Sequence, residues 1–243
     1  MNSELITIGQ VSKMIGVSID TLRRWDKEGK LSPIRRKKET GYRYYKKKDI
    51  ESYNVKNLFR LARFWIEDDS GFEPLHDFYC PDSSVFNAWI KRMENELGRV
   101  KGLNLIFPLI SAIAAEIGDN SFNHNLGNWP DIPGIIFAYN LNKRIVVLAD
   151  RGRGILTTLR NVEPNLANHQ DALYVAFTKL ISGRPGESRG NGLKFVKDVV
   201  MKNEIGLFFQ TGDAYFEIKK KNPNFKIKKS KINFHGCLAL IKF

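Results

Sequence analysis

Over residues 106–117 the apolar side chains Ile106, Ile110, Ile113 and Ile117 return every three or four positions, the spacing of one buried helix face. Polar residues in the same stretch fall on another side. Glu116, Asn120 and His124 are four apart and form one ridge with only small Ala112 above them. The same period predicts helices over 84–98 and 170–181, and a third over 193–202 with Leu193, Val196, Val199 and Val200 on one face. Strand-like runs at 132–140 and 143–149 predict a hairpin across Leu141-Asn142, and further strands are expected at 205–210 and 214–218. Residues 225–234 alternate imperfectly between apolar positions and lysines.

The first 55 residues have a shorter rhythm. Thr7 can cap a helix over 8–15, Gly16-Val17 makes a turn, and Ser18 caps a second helix over 19–28 that stops at Gly29. Two short helices joined by a glycine turn make a helix-turn-helix. Leu22 and Trp25 are expected to pack inward, while Thr21, Arg23, Arg24 and Lys27 take exposed positions suited to a major groove. Residues 31–45 then alternate basic and aromatic residues around Gly41. This predicts a two-stranded wing that offers Arg35, Arg36, Arg43 and Tyr44 to a sugar-phosphate backbone. The plainer alternative is a solvated basic hairpin, and the helix pair before it argues against that.

This segment, through Asp49-Ile50, closely resembles the MerR-type winged helix-turn-helix. The resemblance implies that Thr21, Arg23 and Arg24 face duplex DNA together with Arg35 and Arg43 of the wing. MerR-type proteins usually dimerise through a long helix placed next. Here a helix over 49–66 is cut short by Asp68-Asp69-Ser70-Gly71, so a homodimer is left open. Residues 67–83, with Gly71, Pro74 and Pro81, are expected to be linker, in which His76 and Cys80 are packing residues and not ligands.

Two glycine motifs add to the ridge. Asp150-Arg151-Gly152-Arg153-Gly154 follows the apolar run 145–149, and Gly190-Asn191-Gly192-Leu193 opens the last predicted helix. Glycines ahead of a helix let backbone N–H groups approach phosphate oxygens, where the helix adds partial positive charge. In this order the three motifs resemble the GHKL superfamily of sensor histidine kinases, anti-sigma serine kinases and gyrase-type ATPases.

The resemblance implies that ATP and Mg2+ are bound. Asn120 would be the magnesium ligand, His124 the common basic position and Glu116 the catalytic base. Asp150 would recognise the adenine amino group with Gly152 and Gly154 behind it. Arg189, Gly190, Gly192 and Leu193 would lie on the phosphate side. Phe234-His235-Gly236-Cys237 resembles a degenerate last-strand motif, in which Thr is more usual after the glycine. The departures are Arg151, where Asn is frequent, and Cys237. A capped helix end with a solvated polar tip is the plainer account of Glu116, Asn120 and His124.

Composition narrows the alternatives. The two cysteines, Cys80 and Cys237, have no metal-type spacing, and the longest apolar stretch, 103–117, is broken by Asn104, Pro108, Ser111 and Glu116. A cytoplasmic protein without a membrane partner is therefore expected. The net charge of +13 is unevenly spread. Basic residues outnumber acidic ones 13 to 7 over 1–55 and 17 to 7 over 151–243, whereas 56–150 carries 9 against 12. The lysines of 219–231 admit two readings, protection of a sheet edge or a second DNA contact.

The expected fold is α+β, with a winged helix-turn-helix at 1–55, a helix and linker at 56–83, and a two-layer α/β GHKL (Bergerat) ATP-binding domain at 84–243. The expected function is a DNA-binding transcriptional regulator governed by ATP-Mg binding. The alternative is an enzyme, a serine/threonine protein kinase of the anti-sigma type or an ATPase, with a protein partner encoded nearby. A nucleotide-free scaffold is a third class, disfavoured by Asn120, Asp150 and the glycines.

Overall fold

The computed structural model of the chain describes residues 5–15, 17–35, 42–46, 50, 58–69, 71, 73–74, 77–180 and 191–243. The chain divides into two compact units, Met1–Leu61 with Glu73–Tyr79, and Ala62–Phe72 with Cys80–Phe243.

In the first unit, strand β1 (Leu5–Thr7) leads into helix α1 (Ile8–Ile15), and helix α2 (Ile19–Lys27) follows the Ser18 cap. Strands β2 (Ile34–Arg35) and β3 (Arg43–Lys46) form the wing, and β1 joins them in a three-stranded antiparallel sheet of order β1-β3-β2. Val11, Ile15, Leu22, Trp25 and Tyr45 are buried and supply the core. The α1–α2 connection is held by the Ser12 hydroxyl, which donates to the Val17 carbonyl at 2.7 Å. Gly29 ends α2 with a φ of 68°, a conformation that costs a residue with a Cβ. The extra strand β1 has no alternating pattern of its own, being three residues long.

Helix α3 (Leu58–Glu67) covers the later part of the expected 49–66 helix. Residues 51–57 lie outside the described residues. Strand β4 (Tyr79–Cys80) then corrects the expectation of plain linker over 67–83, since it forms one edge of the large sheet.

The second unit continues with helices α4 (Ser83–Leu97) and α5 (Phe107–Asn125), the hairpin β5 (Ile135–Asn140) and β6 (Ile145–Asp150), and helices α6 (Gly154–Leu159), α7 (His169–Thr178) and α8 (Gly192–Lys202). Strands β7 (Gly206–Thr211), β8 (Ala214–Ile218), β9 (Lys228–Lys229) and β10 (Cys237–Lys242) complete a seven-stranded sheet of order β4-β5-β6-β10-β7-β8-β9. Helix α5 packs on α4, α8, β6 and β10.

Alternate residues of the strands, among them Phe137, Leu148, Phe209, Phe216 and Ile241, enter the core shared with Ile110, Ile113 and Ile117 of α5. The intervening Ile136, Ala138, Val147, Ala149 and Leu238 are also buried. Burial on both faces explains why these strands read as continuous apolar runs, with no polar alternation to mark their ends. The hairpin turn accordingly differs from the expected two residues. It spans 141–144, with Arg144 at a φ of 55° and the Asn140 side chain accepting from the Lys143 N–H at 3.0 Å. The expected alternation over 225–234 yields only the two-residue β9, and β10 and α6 are elements that periodicity did not reveal.

Gly118, between Glu116 and Asn120, lies where a Cβ would overlap the Phe86 ring of α4. Gly118→Ala should therefore destabilise the second unit by about 1–3 kcal/mol through overpacking. A lowered urea midpoint measures this, and an unchanged one would show that α4 and α5 pack less closely than described.

Candidate functional site

The exposed face of α2 presents Arg23 and Lys27, with Arg24 half-buried beside them. Arg23 donates to Asp20 at 2.8 Å, but the two side chains are 56% and 87% exposed, so the pair offers little resistance to a competing phosphate. Thr21 departs from the expectation. It is buried, its N–H donates to the Ser18 hydroxyl at 3.1 Å, and its own hydroxyl lies 2.9 Å from the same oxygen. The residue serves the cap of α2 and does not lie on its exposed side, because position 21 is on the same face as Leu22 and Trp25. Arg43 of the wing donates to Asp26 at 2.7 Å, and Asp26 is 7% exposed, so this arginine ties β3 to α2. Tyr44 is half-buried on the same strand and Arg35 lies on β2, while Arg36 is outside the described residues.

In the second unit, three stretches of sequence meet at α5. Glu116, Asn120 and His124 are all half-buried, which excludes a freely solvated helix tip. Gly192, the first residue of α8, sits directly on them. A Cβ there would overlap Glu116 Oε2 and come within 3.5 Å of Asn120 Nδ2. With a Cβ at position 192 the Glu116 carboxylate would have to move aside. Leu193 follows it, half-buried against the core, and Arg189 and Gly190 lie outside the described residues.

The strand motif closes the other side. Asp150, the last residue of β6, is buried. Its Oδ2 accepts from the Ser121 hydroxyl at 2.7 Å and its Oδ1 from the Gly152 N–H at 2.8 Å. The glycines behind it are each crowded. A Cβ on Gly152 would overlap the Asn125 amide, and Gly154, at a φ of 73°, would bring one within 3.0 Å of Thr211 Oγ1. Asn125 in turn accepts from the Arg153 N–H at 2.8 Å, and Arg153 Nη2 donates to the His124 carbonyl at 2.8 Å. The loop is thus fastened to the end of α5.

Ser121, Asn125 and Thr211 are site residues that sequence reasoning missed. Ser121 and Asn125 directly follow the ridge positions 120 and 124, and nothing in their spacing singles them out. Thr211 donates to the Gly236 carbonyl at 2.9 Å from a strand remote in sequence.

Arg151, the departure from the motif, is fully buried. It donates from Nε to Asp131 at 2.8 Å, pairs with the same carboxylate through Nη2, and donates from Nη1 to the Trp65 carbonyl of α3 at 2.5 Å. His235 bears on the same group, with Nε2 3.5 Å from Asp131 and Nδ1 3.0 Å from the Arg151 carbonyl. A cleft of about 670 Å³ opens beside this loop, lined by Arg151, Arg153, Gly154, His169 and His235 among others. It takes in Gly154 of the expected set but not Glu116, Asn120 or Asp150.

Burial raises the pKa values of Glu116, Asp119 and Asp150, with the Asp119 charge adding to the effect on Glu116. At Asp150 the hydrogen bonds from Ser121 and Gly152 oppose the rise without cancelling it. Cys237, opposite Asp150 in the sheet, is pushed well up by burial and by that carboxylate. Asp131 is also pushed up by burial, but the Arg151 bond, the Ile132 N–H and nearby positive charge bring it below its usual range.

Residues 7–45 match the profile of the MerR family regulatory proteins and carry its helix-turn-helix domain. The Type II methyltransferase M.Eco47II of Escherichia coli is 42% identical over 53 residues, which are 22% of this chain and 12% of that protein. The match thus spans about an eighth of the methyltransferase's length. Among the described residues, no helix is long and apolar enough to cross a membrane.

The raised carboxylates set a pH dependence. A folded-state pKa above the unfolded one gives stability that is present below the unfolded value and lost as pH rises through the folded value. Asp150→Asn keeps a partner for both Ser121 and Gly152 while removing the titration. Its urea midpoint should exceed that of the wild type at neutral pH and approach it as pH falls into the ordinary carboxylate range. Identical pH profiles would show that Asp150 is buried without cost.

Proposed function

We propose that the chain is a DNA-binding regulator whose second unit is a GHKL-type switch for ATP and magnesium. The MerR-family domain supports the first half of this reading. The second half is carried by one observation, the packing of Gly192 against Glu116 and Asn120 on the same helix whose Ser121 holds Asp150. Motifs widely separated in sequence converge there as nucleotide recognition requires.

The residues fit the group. Asp150 is a buried carboxylate, and such a group suits the amino group of adenine. Asn120 offers a side-chain oxygen of the kind magnesium takes. The N-terminus of α8, opened by Gly192 and Leu193, suits phosphate oxygens, with His124 as a further basic group. Bound ATP-magnesium would supply a dense negative charge at the start of α8 and a transferable phosphoryl group.

Regulation requires that one of two conformations bind the nucleotide better. Arg151 gives a route for the effect. It directly follows Asp150 and grips the Trp65 carbonyl of α3, the helix that carries the chain on from the DNA-binding unit. A change at Asp150 is therefore passed to the neighbouring residue that positions α3.

Two measurements test the reading. Replacing Arg23 and Arg24 by Ala should weaken binding to duplex DNA by about 1–3 kcal/mol for each base edge that is no longer read, and should reduce its salt dependence. Unchanged affinity across a salt series would remove the DNA interface from α2.

For the nucleotide, calorimetry should detect ATP-magnesium binding that Asn120→Ala weakens without unfolding. ATP should shift DNA affinity by about 1–3 kcal/mol, and DNA must shift ATP affinity by the same factor. Arg151→Lys keeps the charge but loses the fork that holds Asp131 and Trp65, so it should reduce this coupling while ATP still binds. If Glu116 serves as a base, Glu116→Ala retains ATP but loses about 10²–10⁴-fold in turnover. Equal, negligible turnover in both proteins leaves a switch and not an enzyme. Absence of binding at millimolar ATP-magnesium would defeat the nucleotide reading altogether.

A further inference from the structure

Residues 214–243 contain eight lysines and a single acidic residue, Glu217. Seven of those lysines, at positions 219, 220, 221, 226, 228, 229 and 231, fall between β8 and β10 at the end of the sheet where β9 is the last strand. Six of the seven are exposed, and Lys220 is half-buried.

The segment is a built surface and not a loose tail. Phe225 and Ile227 turn inward onto the core, with the Phe225 ring centroid 4.9 Å from that of Phe216, while the intervening Lys226 and Lys228 turn outward. The Ser230 N–H donates to the Asp213 carbonyl at 2.6 Å, and the Ile232 carbonyl accepts from Gln210 at 3.1 Å. Lys219-Lys220-Lys221 occupy a turn closed by the Asn222 N–H to the Lys219 carbonyl at 3.2 Å. Within this surface Lys229 pairs with Asp213 at 3.5 Å and Lys242 with Glu217 at 3.4 Å. Among the described residues, no ion pair engages Lys219, Lys220, Lys221, Lys226, Lys228 or Lys231.

Protection of the sheet edge accounts for only part of this. Strand β9 consists of Lys228 and Lys229 alone, and two lysines on so short a strand already discourage edge pairing. Lys219, Lys220, Lys221, Lys226 and Lys231 lie outside the strand, where edge pairing gives no reason for them. We infer that the β8–β10 segment is a second nucleic-acid-binding surface, which takes the phosphate backbone of duplex DNA without reading its sequence. Lysines are point charges suited to phosphates, and this surface carries no arginine fork for base edges. Duplex DNA is favoured over other polyanions because the same chain carries a MerR-family domain. The inference goes beyond the switch proposed above and does not depend on nucleotide binding.

The test uses the full chain and a 60-base-pair duplex of mixed sequence, with affinity followed by fluorescence anisotropy in a series of salt concentrations. Lys219, Lys220, Lys221, Lys226, Lys228 and Lys231 are replaced together by Gln, and in a second variant by Arg. Each phosphate that is no longer neutralised flattens the slope of log K against log salt by about 0.9. The Gln variant should show a slope shallower by roughly 2 or more, and affinity at 50 mM salt lower by at least about tenfold. The Arg variant should bind like the wild type. The same Gln variant with slope and affinity unchanged, but with self-association in sedimentation, would overturn the inference in favour of edge protection. It would also fall if the Gln variant lost binding to phosphatidylserine vesicles while its DNA binding stayed intact. Failure of the α2 interface is separate, since it shows in the Arg23 and Arg24 variant and leaves the lysine effect standing.

Discussion

A carboxylate at the end of a central strand, shut away from bulk water, is the constraint on which the second unit depends. Asp150 is buried where β6 meets β10, and an ionised group there must be hydrogen-bonded or be driven towards its neutral form. Hydrogen bonds answer this, from the Ser121 hydroxyl of α5, the Gly152 N–H of the following turn and the Cys237 N–H. The first fixes the rotation of α5 against the sheet, and with it the direction of Glu116 and Asn120. The second fixes the turn, which leaves room for Asn125 only because residue 152 has no side chain. Gly236 is forced by the same group, since its φ of 84° lets it lie against the Asp150 backbone where a Cβ would overlap the carbonyl.

The chain's departures from the motif fit the same geometry. At position 151 an arginine replaces the frequent asparagine, and the guanidinium turns away from the Asp150 carboxylate towards Asp131 and the Trp65 carbonyl. A buried arginine is tolerable only with such a set of acceptors. Its presence ties Trp65, in the part of α3 that belongs to the second unit, to the loop after β6. At position 237 a cysteine stands opposite Asp150 with its thiol held neutral by burial and by the adjacent carboxylate. It packs at the strand end as a small, uncharged group.

Much of this was legible from residue spacing. The helix face of Ile110, Ile113 and Ile117, the helix-turn-helix with Leu22 and Trp25 inward, and the position of Asp150 at a strand end all follow from periodicity and cap chemistry. What escaped has physical causes. Strands buried on both faces give no alternation, so their bounds and the hairpin turn were displaced. Strands of two or three residues, such as β1, β4 and β9, are set by pairing with remote partners and carry no local pattern. The exposure expected for Thr21 failed because one helix position separates an exposed residue from one that serves the cap. Ser121, Asn125 and Asp131 escaped because their roles arise from tertiary hydrogen bonds to the loop after β6.

On the reading proposed above, the distribution of charge follows from what each part would bind. A nucleotide site of the proposed kind would draw carboxylate and amide groups together, and residues 56–150, which hold Glu116, Asn120 and Asp150, are the acidic part of the chain, with 9 basic against 12 acidic residues. Burial raises both Glu116 and Asp119, and the Asp119 charge adds to the rise at Glu116, a field that a magnesium ion would relieve if bound as proposed. Basic residues placed there would neutralise the carboxylates permanently and remove that source of binding energy. The basic excess lies instead over 1–55 and 151–243, where on that reading a polyanion would be held without competing for the metal's ligands. A protein that answered one anionic ligand by changing its hold on another would need to keep the two attractions apart, and this distribution of charge suits that need segment by segment.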